Sequence, residues 1–194
     1  MIIRKLYKFE GAHIVRDCSS ERCSKSVHGH SYIVEVFLTS DKLDNGNMIM
    51  DFGLMKGNIN TLIDSFDHAL SIWNKESLSY KDDQKQWSDR YIIMPVSPSA
   101  EQYSLMFLFI IDKIIKNTVF NNGEGKVEVH SVRVHETTTG YAEAFQEDLK
   151  WVNYDLEDII FSDGIKEEWK DQLWWKNLQK EIKFVNPVMT PKYS

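Results

Sequence analysis

Apolar and polar residues alternate along two early stretches of the chain. In residues 28–40, Tyr32, Val34, Val36 and Leu38 alternate with Ile33, Glu35 and Phe37, the period-two pattern of a strand, and residues 3–13 read as a strand before it. Asp44-Asn45-Gly46 carries a turn signal, after which Met48-Ile49-Met50 is predicted to return as a short strand. The period then changes. Asp51 is a predicted N-cap, and Met55, Ile59, Leu62, Ile63 and Phe66 recur at spacings of three and four along one helix face, ending near Asp67-His68. Residues 73–96 are polar and without a clear period, and read as an excursion or insertion loop. Pro98-Ser99-Ala100-Glu101-Gln102 opens a second helix, with Ser99 as N-cap, Gln102 completing a capping box, and Leu105, Leu108, Ile111 and Ile115 on the buried face. After a turn at residues 121–125, Val127 and Val129, then Val132 and Val134, alternate in two phases, which predicts a strand with a bulge near Ser131. A last strand is expected over residues 141–145.

The order strand-strand-helix-helix-strand-strand predicts an α+β fold, one antiparallel four-stranded sheet with two helices on one face. Beyond about residue 150 the character shifts: Trp151, Trp169, Trp174 and Trp175 lie in a strongly charged tail. Ile165, Trp169, Leu173 and Leu178 suggest one amphipathic helix there, packed on the core or serving a subunit contact. The expected organisation is a main unit over residues 1–148, interrupted at about 73–96, and a Trp-rich C-terminal extension over 149–194.

Composition narrows the function classes. The chain has 194 residues with 42% hydrophobic content, enough for a substantial core. Its formal net charge of -6 argues against a nucleic-acid partner, which demands a basic footprint. Two cysteines, no apolar run long enough to span a bilayer and an N-terminus without a signal-peptide pattern lead us to expect a cytoplasmic protein with no membrane partner.

The chemistry concentrates in Cys23-Ser24-Lys25-Ser26-Val27-His28-Gly29-His30, with His13 upstream. Alternate residues of a strand share a face, so His28 and His30 make a two-nitrogen chelate. If the strand bearing His13 pairs beside them, three imidazoles with an open fourth position suit catalytic zinc, Zn2+. A second metal reading stays open, a structural site of Cys18, Cys23, His28 and His30.

These residues also carry a family resemblance. His13, Cys23, His28-Gly29-His30, Asp67-His68, Ser99-x-Glu101 and Val134-His135-Glu136-Thr137 occur in the order found in the 6-pyruvoyltetrahydropterin and 6-carboxytetrahydropterin synthase family, over residues 1 to about 145. The resemblance implies the tunnelling fold and a homo-oligomeric ring, commonly a stacked hexamer, with sites at subunit borders. It implies a pterin triphosphate substrate, 7,8-dihydroneopterin triphosphate, and zinc on His13, His28 and His30. Cys23 is then the expected general base, with Asp67 and His68 as catalytic partners. Glu136 is the expected pterin anchor, and Ser99 and Glu101 also belong to the substrate site. The expected activity is a zinc-dependent lyase giving 6-carboxy-5,6,7,8-tetrahydropterin, acetaldehyde and triphosphate, on the route to queuosine-type deazapurines. A 6-pyruvoyl product, or a non-catalytic zinc- or pterin-binding protein, are the alternatives. Arg16, Arg22, Lys25 and Arg133 lie near these motifs, but none is singled out as a triphosphate ligand.

Overall fold

The computed structural model describes residues 1–189. Its centre is the pairing of β1 (Ile2–His13) with β2 (His28–Thr39), antiparallel along their full twelve-residue lengths. β2 also pairs with β6 (Glu128–His135), and β6 with β7 (Tyr141–Phe145), both antiparallel. These are the four strands that alternation predicts. The β2/β6 register shifts after Phe37, which faces Ser131 while Leu38 faces Val129, so His130 is the extra residue of the expected bulge.

The sheet is larger and mixed, which corrects the four-stranded antiparallel expectation. β3 (Ala69–Trp73) adds to the other side of β1 in parallel, β4 (Tyr91–Met94) adds in parallel to β3, and β8 (Ile160–Phe161) closes the order β7-β6-β2-β1-β3-β4-β8. Ala69 to Ile72 are all buried, so β3 lacks the alternation that betrays a strand with one wet face. A small second sheet pairs β5 (Thr118–Phe120) with β9 (Phe184–Asn186).

Other local readings change as well. Among the described residues Met48-Ile49-Met50 forms no strand; Asp44 Oδ1 accepts hydrogen bonds from the Gly46 and Met48 amides, and this side-chain turn replaces ladder pairing. The first long helix is two short ones, α2 (Gly53–Lys56) and α3 (Asn58–Asp64), parted at Gly57 with ψ -112°. Asp51 accepts from the Gly53 amide, although Phe52 holds the cap position. The predicted apolar face holds, since Met55, Ile59, Leu62, Ile63 and Phe66 are all buried. The stretch read as an irregular excursion contains α4 (Leu78–Trp87) as well as β4; α4 buries no residue, so it has no apolar face to detect.

α5 (Ala100–Lys116) is the central helix, capped by Ser99, whose hydroxyl accepts from the Gln102 amide at 3.4 Å. The reciprocal half of the capping box is absent, because the Gln102 side-chain oxygen has no partner. The C-terminal tail is not one helix. It forms 3-10 turns at Gln146–Trp151 and Leu156–Asp158, then α6 (Asp163–Glu168) and α7 (Trp174–Gln179). Asp171 accepts from the Leu173 amide and breaks the run, leaving Leu173 exposed. Trp169, Trp174 and Trp175 are buried in the main core, and Trp169 Nε1 donates to Ser65 Oγ at 2.9 Å. Residues 190–194, the end of the predicted extension, lie outside the described residues. The short α1 (Glu21–Lys25) joins β1 to β2.

The sheet face away from α5 carries a charged network around buried Glu35. Its carboxylate accepts from Arg4, from His135 Nε2 at 2.9 Å and from Arg133 Nη1 at 3.4 Å, and Arg133 also bonds Glu143. Burial alone would raise the Glu35 pKa, but the hydrogen bonds from His135 and Arg4 and the charges of Arg4 and Arg133 outweigh it and hold the carboxyl below its usual value.

Two predictions follow from this packing. Trp174→Ala should lower unfolding free energy by about 3–5 kcal/mol, measured by urea denaturation, because a fully buried indole leaves a cavity. Glu35→Gln should cost about 1–3 kcal/mol at pH 7. A carboxylate whose folded pKa is lowered stabilises above its unfolded value and loses that contribution as pH falls through the folded one, so the difference between parent and variant should shrink in denaturation series carried below the usual carboxylate range.

Candidate active site

The register of β1 on β2 assembles the histidines. His13 faces His28 and Gly11 faces His30, so three imidazoles gather on the α5 side of the sheet with ring centroids 4.5, 5.3 and 5.2 Å apart. One ligand atom from each lies within 4.8 Å of the others, and this is the only such grouping of three or more among the described residues. Gly29 suits the close approach of the two strands, since a Cβ there would lie a tight 3.1 Å from the Gly11 carbonyl oxygen.

Two of the imidazoles are oriented through Nδ1. His13 Nδ1 lies 2.5 Å from the Pro98 carbonyl and His28 Nδ1 lies 2.9 Å from the Ser26 carbonyl. A carbonyl only accepts, so both Nδ1 atoms carry the hydrogen and both Nε2 atoms are left as the acceptors of their rings. His13 is wholly buried, and that burial, reinforced by His28 and His30, lowers its pKa to about 4 against the opposing Pro98 hydrogen bond. It is therefore neutral near pH 7, the form a metal ion requires. These features fit a metal ion.

The surrounding wall is aromatic. Tyr103 stacks on His13 at 6.3 Å and 17°, and the Tyr32 hydroxyl lies 3.3 and 3.4 Å from the two His13 nitrogens. Burial first, then Tyr103 and Glu136, push the Tyr32 phenol far above its usual pKa, so it stays protonated. Glu136 Oε1 lies 3.7 Å from His13 Nε2 and 3.9 Å from His30 Nε2, which places this half-buried carboxylate at the mouth of the cluster.

The other predicted residues are distributed around this centre. Asp67 and His68 sit where the chain returns beside β1: the Glu10 amide donates to Asp67 Oδ1 at 2.7 Å, and the His68 amide donates to the Glu10 carbonyl at 2.6 Å. His68 has φ +52°, and its Nδ1 donates to Asp67 Oδ2 at 2.8 Å, leaving Nε2 outward on a side chain 75% exposed. Burial raises the Asp67 pKa, yet the Glu10 amide, His68 and Arg90 outweigh it and keep it below the usual carboxylate value. Cys23 lies half-buried on α1, where its carbonyl accepts from the Val15 amide. No hydrogen bond or ion pair joins its thiol to Asp67 or His68 within the described residues of one chain. Ser99 spends its hydroxyl on the helix cap, and Glu101 is exposed in the first turn of α5; both adjoin the Pro98 carbonyl that holds His13.

The alternative four-ligand site is not assembled. Cys18 and Cys23 are free, Cys18 Sγ donates to the Ser20 carbonyl, and neither joins the histidine group. Of the cations near the motifs, Arg16 pairs with Glu76, Lys25 with Glu21, and Arg133 with Glu143 and Glu35. Tyr32 and Tyr103 are site residues that pattern reading passes over as core. Tyr32 is the next residue on the His28 and His30 face, so parity alone places it here; the Pro98 carbonyl leaves no side-chain signal at all.

Comparison with known proteins identifies the family and the fold. A family model described as 6-pyruvoyl tetrahydropterin synthase matches residues 2–147. A Helicobacter pylori J99 protein named 6-carboxy-5,6,7,8-tetrahydropterin synthase is 47% identical over 176 residues, covering 89% of this chain and 88% of its own. Its counterpart of the same name in H. pylori 26695 is 44% identical over 187 residues, 94% of each chain. The crystal structure of an uncharacterized Wolinella succinogenes protein shares the fold, with TM-score 0.63 and 19% identity over 75% of this chain and 98% of that one. The Caenorhabditis elegans 6-pyruvoyl tetrahydropterin synthase does so at TM-score 0.52 and 17% identity, over 75% and 94%. On a family model that spans most of the chain and relatives at 44–47% identity, the chain belongs to the 6-pyruvoyl tetrahydropterin synthase family.

Proposed function

We propose that the protein is a 6-carboxy-5,6,7,8-tetrahydropterin synthase, a zinc-dependent lyase that converts 7,8-dihydroneopterin triphosphate to 6-carboxytetrahydropterin, acetaldehyde and triphosphate. The observation that carries the reading is the three-imidazole group beside Glu136, in a chain 44–47% identical to two proteins of that name. The pyruvoyl synthases enter through the family model and through structures such as the C. elegans enzyme at 17% identity, which speak for the fold. The product would feed deazapurine nucleosides of the queuosine type.

His13, His28 and His30 would hold Zn2+, which when bound supplies a Lewis acid for oxygens of the substrate side chain. Glu136 accepts two parallel hydrogen bonds from the aminopyrimidine edge, so the pterin is anchored on a carboxylate whose Oε1 lies 3.7 and 3.9 Å from two of the imidazoles. Ser99 and Glu101 line the same approach at the start of α5. Cys23 acts as general base on the weakly acidic side-chain carbon. His68 exchanges a proton at Nε2 while Asp67 holds its Nδ1 hydrogen, the usual division of labour between an imidazole and its carboxylate. Because exposed His68 meets no thiol of its own chain, the site is completed at a subunit border of a homo-oligomeric ring, a hexamer in this reading. No described helix is long and apolar enough to cross a membrane.

Incubation with 7,8-dihydroneopterin triphosphate followed by mass spectrometry should give the carboxy product with acetaldehyde. A pyruvoyl product without acetaldehyde would move the protein to the other synthase class, and no turnover by folded, zinc-loaded protein would leave a binding protein. Cys23→Ala should lower turnover by about 10²–10⁴-fold and retain zinc. His28→Ala should lose the metal, as measured by equilibrium dialysis and elemental analysis. Mixed oligomers of Cys23→Ala and His68→Ala chains should regain activity that neither variant has alone; no recovery would place both groups in one subunit.

A further inference from the structure

The two segments that bear Cys23 and His68 are weakly anchored by packing. α1 buries no residue, and His68 is exposed with a left-handed backbone. Hydrogen bonds join each to the β1 side, from the Val15 amide to the Cys23 carbonyl and between Glu10 and Asp67-His68, and each is further tied by an arginine whose contacts involve residues 73–96. Arg16 Nε donates to Glu76 Oε1 at 2.7 Å, its Nη1 donates to the Ser24 carbonyl next to Cys23 at 2.8 Å, and its guanidinium lies 5.4 Å from the Tyr80 ring centre. Glu76 precedes α4 and Tyr80 lies on it, and the side chain of Glu76 is only 11% exposed. At the other end of α4, Arg90 Nε donates to the Asp67 carbonyl at 2.9 Å and its Nη2 to the Asp64 carbonyl at 3.0 Å. Its Nη1 pairs with Glu168 of α6.

We infer that Arg16 and Arg90 are positioning residues, and that the α4 segment is a two-ended brace that fixes the Cys23 helix at one end and the Asp67-His68 turn at the other. This rests on the catalytic roles proposed above for Cys23 and His68. A guanidinium suits the task because its planar fork satisfies a carboxylate and a main-chain carbonyl at once, Glu76 and Ser24 for Arg16 and Glu168 and Asp67 for Arg90. With its guanidinium so engaged, Arg16 serves position rather than triphosphate binding. The brace also explains how α4, with no buried residue, is kept on the protein, since the Arg16 contacts with Glu76 and Tyr80 and the Lys81 bond to the Asn74 carbonyl supply its attachment. Each catalytic group is set within its own subunit, whichever neighbour completes the site.

The test is steady-state kinetics on 7,8-dihydroneopterin triphosphate with full-length, zinc-loaded Arg16→Gln, Arg16→Lys and Arg90→Gln, together with the rate of Cys23 alkylation by iodoacetamide followed by mass spectrometry. Misplacing a catalytic group by about an ångström costs up to about a hundredfold, so kcat should fall about ten- to a hundredfold in both Gln variants with KM within about twofold. Cys23 alkylation should change severalfold in Arg16→Gln and keep the parental rate in Arg90→Gln, and Arg16→Lys should recover part of the loss. If Arg16→Gln does not fold, judged by circular dichroism, Glu76→Ala takes its place with the same expected pattern. Folded Gln variants with kcat within twofold of the parent would overturn the brace, provided Cys23→Ala and His68→Ala are inactive. Full activity in those two would instead overturn the catalytic assignment, and the brace with it.

Discussion

The antiparallel register of β1 on β2 is the constraint on which the rest of the structure depends. Its side-chain period is two, so a slip of one residue would turn His28 and His30 to the opposite face and break their meeting with His13. The same register aligns Tyr7 and Phe9 with Tyr32, Val34 and Val36 against α5, so core packing and the histidine group are enforced by one pairing. Phe9 stacks on Tyr32 at 4.6 Å and meets Phe66, Tyr103 and Phe107, which locks the register from the apolar side. The site is thus the polar end of the hydrophobic core.

Placing an imidazole at that boundary has a cost that the fold answers locally. His13 has no exposure to water, and a buried polar ring without partners would be strongly unfavourable. The Pro98 carbonyl takes one nitrogen, and it is available because it lies just before the first turn of α5. The helix whose apolar face closes the core therefore also orients the metal-capable ring, and the Ser99 cap that begins the helix keeps that carbonyl in place.

Legibility in the sequence followed the physics of each element. The four strands with one wet face, the apolar helix faces and the His-x-His chelate were readable, because period and parity follow directly from backbone geometry. β3 was not, since burial on both faces erases alternation; α4 was not, since it buries nothing. The tail misled for another reason: helical spacing over residues 165–178 is interrupted by an Asp171 side-chain turn that periodicity cannot register. At the site, the grouping of His13, His28 and His30 was predictable from strand pairing. The arginine ties and the Pro98 carbonyl were not, because they join positions distant in sequence through main-chain atoms that carry no residue-type signal.

The two margins of the large sheet are finished differently. On one side the last strand is β8, only two residues long and drawn from the C-terminal extension, whose neighbours Trp169 and Trp175 pack on Phe161. So brief a strand offers little main chain for another to join, and it blunts that margin as natural sheets commonly do. The opposite margin is β7, five residues long and hydrogen-bonded through β6 alone within the sheet. The Trp-rich extension therefore does more than cover the core: it supplies the short strand, β8, at which the first of these margins ends.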